Sequence, residues 1–111
     1  MAITITTGSA TIGTTEYFLA SVSTAKTSQT ADCMMQCWID FAALTAAEEY
    51  LVKVYEKINA VERVTFQCTV AGVQAGPLVT PSLIVGEGWE VSVDKIAGTD
   101  RSIGWSLRTV S

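Results

Sequence analysis

Histidine is absent from this 111-residue chain. That removes the commonest general base and the commonest metal ligand together. Charge is also sparse, with Asp, Glu, Lys and Arg making up 16% of residues against 49% hydrophobic, at a formal net charge of −4. The acidic balance and the scatter of the seven Lys and Arg residues argue against a nucleic-acid partner. No apolar run approaches the length of a membrane span, and the start lacks the basic-then-apolar layout of a signal peptide, so no membrane partner is expected. Cysteine numbers three, an odd count that does not suit a secreted disulfide framework and sits more easily in a reducing cytoplasm.

Two of those cysteines stand in "DCMMQCWIDFAAL", residues 32–44. On a strand, residues four apart lie roughly 13 Å apart. That exceeds the reach of about 7 Å between Cα atoms for a disulfide. On a helix Cys33 and Cys37 would be close, but a structural zinc site needs four Cys or His ligands. The chain offers three cysteines and no histidine, and Cys68 stands alone in "VTFQCTVAGV". The reading is of cysteines serving as small buried hydrophobes, with no metal and no cofactor.

What the chain has in quantity is alternation. A chain of this length buries one modest core as a single domain. "AITIT" and "EYFLA" alternate. "RVTFQCTV" puts Val64, Phe66, Cys68 and Val70 on one face. "WEVSV" sets Trp89, Val91 and Val93 against Glu90 and Ser92, and "SIGWSLRTV" sets Ile103, Trp105 and Leu107 against Gly104, Ser106 and Arg108. A period of two is the mark of a strand with one buried face. Turn signals fall between these runs, at "INAVER", "GEG" and "AGTDR". Pro77 and Pro81 demote "GPLVTPS" to an edge or a connection.

The middle is ambiguous. "CMMQCWIDF" suits a strand with Cys33, Met35, Cys37, Ile39 and Phe41 inward, and equally a helix with Met34, Cys37, Trp38, Phe41 and Leu44 on one stripe. Over 45–58, Thr45 with Glu48 makes a capping-box pair, and Glu49 with Lys53 a favourable helical pair. Against helix, Val52 and Val54 alternate with Lys53, Tyr55 and Lys57. The strand-rich reading predicts an all-β, single-domain, jelly-roll-like β-sandwich of about eight strands, with at most one short helical turn near 45–49. Residues 1–14 form a possible N-terminal arm, and the Ser/Thr-rich stretch 21–32 is a long polar loop.

No catalytic constellation is present, so the chain is read as no enzyme and no catalytic residue is named. Serines abound, but there is no G-x-S-x-G elbow and no histidine to act as base. Glu48 with Glu49, or Glu87 with Glu90, reads as solvated surface rather than an acid pair for sugar hydrolysis. "GVQAG", "GEG" and "AGTD" lack the G-K-[ST] of a phosphate loop.

Several blocks, "TTGSATIGTTEY", then "VYEKI", then "PSLIVGEGWEVSVDKIAGTDRSIGWSLR", resemble the capsid decoration (cement) proteins of tailed double-stranded DNA bacteriophages, over nearly the whole chain. The cluster "ADCMMQCW" departs from that pattern, being bulkier and richer in sulfur. In that group the region matching 50–58 is a strand, which tips the ambiguous middle toward β. The resemblance implies a jelly-roll-like fold and a virion structural protein on the capsid exterior. It further implies assembly in the bacterial host cytoplasm, as a homotrimer bridging neighbouring copies of the major capsid protein.

A clamp of that kind works by buried area. Apolar side chains on the polar faces of strands are therefore the interface candidates: Trp38 beside Gln36 and Asp40, and Leu51 and Tyr55 beside Lys53 and Lys57. Each has an equally good reading as ordinary surface. Ile3 and Ile5 join them, on a terminal strand that either adds to a neighbour's sheet edge or pairs within its own domain. Two other roles suit the same chain. One is another phage component, such as a tail-tube, head-completion or fibre-base protein. The other is a carbohydrate-binding sandwich, for which Trp38, Trp89 and Trp105 are the available aromatics, although the last two fall on apolar strand faces.

Overall fold

The computed structural model describes residues 2–111. Nine strands follow in chain order: β1 (Ile3–Ile12), β2 (Tyr17–Phe18), β3 (Cys33–Asp40), β4 (Glu49–Ile58), β5 (Val61–Ala71), β6 (Leu78–Val79), β7 (Leu83–Val85), β8 (Trp89–Ala97) and β9 (Arg101–Val110). They form two antiparallel sheets packed as a sandwich. Sheet one runs β1-β9-β3, with β6 and β7 both pairing onto the far side of β3, and sheet two runs β2-β8-β4-β5. β6 and β7 are one strand interrupted around Pro81, which has no N–H to give a ladder. Counted so, the fold has eight strands in jelly-roll order.

The alternating faces become the core. Met35, Cys37 and Ile39 of β3, Tyr50, Val52 and Val54 of β4, Trp89, Val91 and Val93 of β8, and Ile103, Trp105 and Leu107 of β9 all point between the sheets. Each large side chain so buried contributes on the order of 1.5–3 kcal/mol. The indole of Trp105 lies across Gly8 so closely that a Cβ there would stand 2.6 Å from the ring. Glycine at position 8 is therefore set by this packing.

The ambiguous middle is β throughout. β4 pairs along its length with β5 on one side and β8 on the other, and these ladders override the helix-forming residues of 45–58. No helical turn forms near 45–49. Residues Thr45–Glu48 make a hydrogen-bonded turn, with Glu48 N–H donating to Thr45 O at 3.1 Å. The Thr45–Glu48 pair foreseen as a capping box does meet, since Glu48 Oε1 accepts from Thr45 N (2.6 Å) and Oγ1 (3.0 Å).

Two details differ from the period-two reading, and one open alternative is decided. The alternation of "RVTFQCTV" breaks at Thr65, where a bulge pairs Val54 with Phe66 but Tyr55 with Val64. Val64 therefore leaves the inner face and is exposed. "EYFLA" yields only the two-residue β2, because the chain turns away through Val22, whose φ is +52°. Residues 3–12 of the possible N-terminal arm pair with β9 at every position, so the terminal strand belongs to its own domain's sheet.

Candidate interaction surface

The outer faces of the two sheets are finished differently, and the cause is the stretch from residue 13 to residue 29. After β2 it folds back across sheet two, tied by bridges between Phe18 and Ser23 and between Gln29 and Trp89. Glu90 and Ser92 alternate with the core residues of β8, so they point outward, yet both are fully buried beneath this segment. Glu90 accepts from Ala20 N (2.9 Å), Val91 N (2.9 Å) and Ser21 Oγ (2.5 Å). Glu16 accepts from the Tyr55 hydroxyl (2.6 Å) and from Ser92 Oγ.

Tyr55 is thus occupied within its own chain. Its ring packs beside Phe18, and the Lys26 ammonium sits 5.0 Å from its centroid while pairing with Glu62. Burial first, and the hydrogen bond to Glu16 second, raise its hydroxyl pKa. Leu51, half-buried, lies four residues away on the same face of β4, opposite Asp94. Asp94 is raised above the usual carboxylate range chiefly by desolvation.

Sheet one carries no such cover. Ile3 faces Val110, Val110 faces Met34 and Met34 faces Ile84, each as direct cross-strand partners. Partners share a face, so these four side chains make an unbroken apolar row across β1, β9, β3 and β7, about 14 Å long at the usual strand spacing. Ile3 is 65% exposed, Met34 45% and Ile84 85%. Ile5 begins the next row, 56% exposed, facing Arg108, which in turn faces Gln36. One row further on is Trp38. Its Nε1–H donates to Gln36 Oε1 at 3.0 Å, and the Arg108 guanidinium lies 4.2 Å from the centre of its rings. Sheet one therefore gathers Ile3, Ile5 and Trp38 on one face, while Leu51 and Tyr55 lie on the opposite sheet.

The sheet's edges differ as well. β1 is the outermost strand of sheet one, and its sequence ITITTGSATI contains no charge and no proline. β5, the corresponding long edge of sheet two, carries Glu62, Arg63 and the bulge at Thr65. Charges and bulges are the usual devices that discourage a second chain from pairing with an edge. β1 has none of them.

Met34, Ile84 and Val110 did not stand out in the sequence. Met34 could have been found, since a strand with Met35 and Cys37 inward places it outward beside Gln36. Ile84 sits in the unbroken apolar run "LIV", where period gives no face. The cysteines are all free thiols. Cys37 is fully buried, and desolvation, with Glu90 nearby, pushes its pKa up to about 12. Cys33 and Cys68 are half-buried. Among the described residues no group of three His, Cys, Asp or Glu side chains is placed to hold a metal ion, and no helix is long and apolar enough to cross a membrane.

No family model matches this chain, and no curated protein matches it. Among solved structures, it is similar to a chain of the Bacillus endospore appendages, which form a novel family of disulfide-linked pili. The TM-score is 0.56 at 13% identity, covering 99% of this chain and 88% of that one, a likeness of fold.

Proposed function

We propose that this chain is a non-enzymatic virion structural protein of a tailed bacteriophage. In this role it is a cement or decoration protein that binds the outside of the capsid and bridges neighbouring copies of the major capsid protein. The observation that carries the reading is the uncovered outer face of sheet one, with its apolar row and the unguarded β1 edge beside it. An exposed row of this kind supports docking, and an unblocked edge supports main-chain pairing with another chain. A homotrimer is the proposed form, in which a heterologous contact between two different surfaces of one chain, repeated by a threefold rotation, closes into a ring. A trimer that grips several shell subunits at once gains firm attachment from weak individual contacts.

Copy number tests the role, by quantitative mass spectrometry of purified virions. Hundreds of copies per particle, near parity with the major shell protein, are expected; a dozen or fewer would move the chain to the tail or the portal vertex. The surface is tested by adding the chain lacking residues 1–6 to capsids stripped of the protein. Folding with weakened binding is expected, and full occupancy by the truncated chain would remove β1 from the interface.

A second reading is a subunit of a fibre, favoured by the fold shared with the endospore-appendage chain. Electron microscopy of the purified protein separates the two, because a fibre subunit forms filaments without a capsid present.

A further inference from the structure

We propose that a basin on the outer face of sheet one, separate from the apolar row, binds the pyranose ring of a neutral saccharide. The basin has a volume of about 560 Å³, and Trp38, the Gln74–Pro77 loop, Gly8 and Gly104 are among its lining residues. That volume falls in the range of small-ligand sites. Gly104 lies on the outward-facing side of β9, between Ser9 and Asp40. A Cβ on it would meet nothing nearer than Gly8 O at 3.8 Å, so the floor is open space at that point.

The chemistry of the lining selects the ligand. Trp38 is held in one orientation by Gln36 and Arg108, and both of these lie outside the basin. A fixed indole offers an apolar plate at little entropic cost. Around it are polar groups with bonding capacity left over. Asp40 Oδ1 accepts from Ala42 N (2.9 Å), which leaves its second carboxylate oxygen. Gln74 Nε2 donates to Ala71 O (2.9 Å) and Gly72 O (3.1 Å), which leaves its Oε1 as an acceptor. Ser106 Oγ accepts from Arg108 Nε (3.2 Å) and keeps its own proton to donate.

The one charged side chain of the lining is the Asp40 carboxylate, and Arg108, the cation at the border, is engaged with Trp38 and Ser106, which favours a neutral ligand over phosphate, sulfate or an acidic sugar. Acceptors in excess, set about an indole, suit a ligand rich in O–H donors that also has an apolar face. A pyranose meets both conditions, laying its C–H face on the ring and giving hydroxyl protons to Asp40 and Gln74. This assignment does not depend on the proposed virion role, because it concerns the isolated protein and, Trp38 apart, side chains other than the interface candidates and the apolar row.

The test is a titration of the ¹⁵N-labelled protein with methyl α-glucoside, methyl α-mannoside, methyl β-galactoside and N-acetylglucosamine. The resonances followed are the Trp38 indole N–H and the amides of Asp40 and Gly104. At least one glycoside is expected to shift all three. Gly104→Val fills the open floor, where the Cβ itself meets nothing nearer than 3.8 Å, and is expected to abolish the Trp38 and Asp40 shifts while leaving signals distant from the basin unchanged. Asp40→Asn is expected to weaken binding several-fold. The proposal is overturned if none of the four sugars moves these signals, or if the shifts persist at full size in Gly104→Val.

Discussion

Over Glu90 and Ser92 of β8 and Tyr55 of β4, sheet two is covered by its own chain, whereas sheet one is left bare. On sheet two the outward-facing residues of β8 include Glu90 and Ser92, both buried under residues 13–29 and both hydrogen-bonded to that segment or to Glu16 within it. On sheet one the outward-facing residues include Ile3, Met34 and Ile84, all exposed, with Ile84 the most exposed large hydrophobic side chain of the described residues. Polar groups were taken inside on one face, and apolar groups were put outside on the other. Burying a carboxylate is costly unless its lone pairs are satisfied, so Glu90 marks where the fold invests in internal order. An apolar row in water has no such internal use. The contrast therefore separates a face that serves folding from a face available to a partner.

The largest expected effect breaks the closed face. Glu90→Ala leaves the Ala20 and Val91 amides without their acceptor and the Ser21 hydroxyl with Thr27 O alone, and the cost is expected to be about 2–4 kcal/mol. Urea unfolding reads it as a lower midpoint at unchanged slope. Hydrogen exchange is expected to speed up over residues 19–29 and to stay slow in β3 and β9. A loss below about 1 kcal/mol would mean that the segment is held mainly by Phe18 and Leu19, and that the polar network matters little.

Next in size is a tie that the two sheets share. Glu48, just ahead of β4, accepts from Arg101 Nε (2.6 Å) at the start of β9. The Arg101 hydrogen bond above all, opposed by burial and aided by the Thr45 donors, lowers the Glu48 carboxyl to about 2. A folded-state value below the unfolded one, about 4.3, gives stability that is present above the unfolded value. It is lost as pH falls through the folded one. The protein is thus expected to lose stability between those two values, and Glu48→Gln to flatten that part of the profile while lowering the neutral plateau. Thermal melts across acid pH check this, and an unchanged profile in the variant would assign acid sensitivity to other carboxylates.

The two faces were not equally legible in the sequence. The inner faces of β8 and β9 could be read directly, because Val91 and Trp105 sit in clean period-two runs, whereas the inner face of β3 followed only once the strand was preferred to the helix that the same residues also suit. Trp38 could be picked out as an apolar residue beside Gln36 and Asp40, whereas Ile3 and Ile5 could be picked out only by their place on a terminal strand. What alternation could not give was anything decided by contacts between distant residues. The cover over sheet two depends on Ala20 meeting Glu90, seventy positions apart. The apolar row depends on the register that sets Met34 against Ile84. The bulge at Thr65 flips Val64 outward although its local sequence is a regular strand. The residues 45–58 carried helix-forming chemistry that only pairing on both flanks overrode.

The smallest expected effect on stability falls on the bare face, and it is the sharpest test of the comparison. Ile84 is 85% exposed and sits at one end of the row, on a three-residue strand that touches the sheet only through β3. Replacing it with serine removes almost no buried area, so the unfolding free energy is expected to change by less than about 0.5 kcal/mol. If the row is the docking surface, the same substitution puts a hydroxyl into an interface that excludes water, and capsid occupancy is expected to fall while the free protein is unaffected. Occupancy and stability measured side by side on Ile84→Ser thus distinguish the two roles of exposed apolar area. A variant that binds normally would place the contact at the Ile3 and Ile5 end of the face, along the β1 edge, where main-chain pairing rather than side-chain burial supplies the affinity.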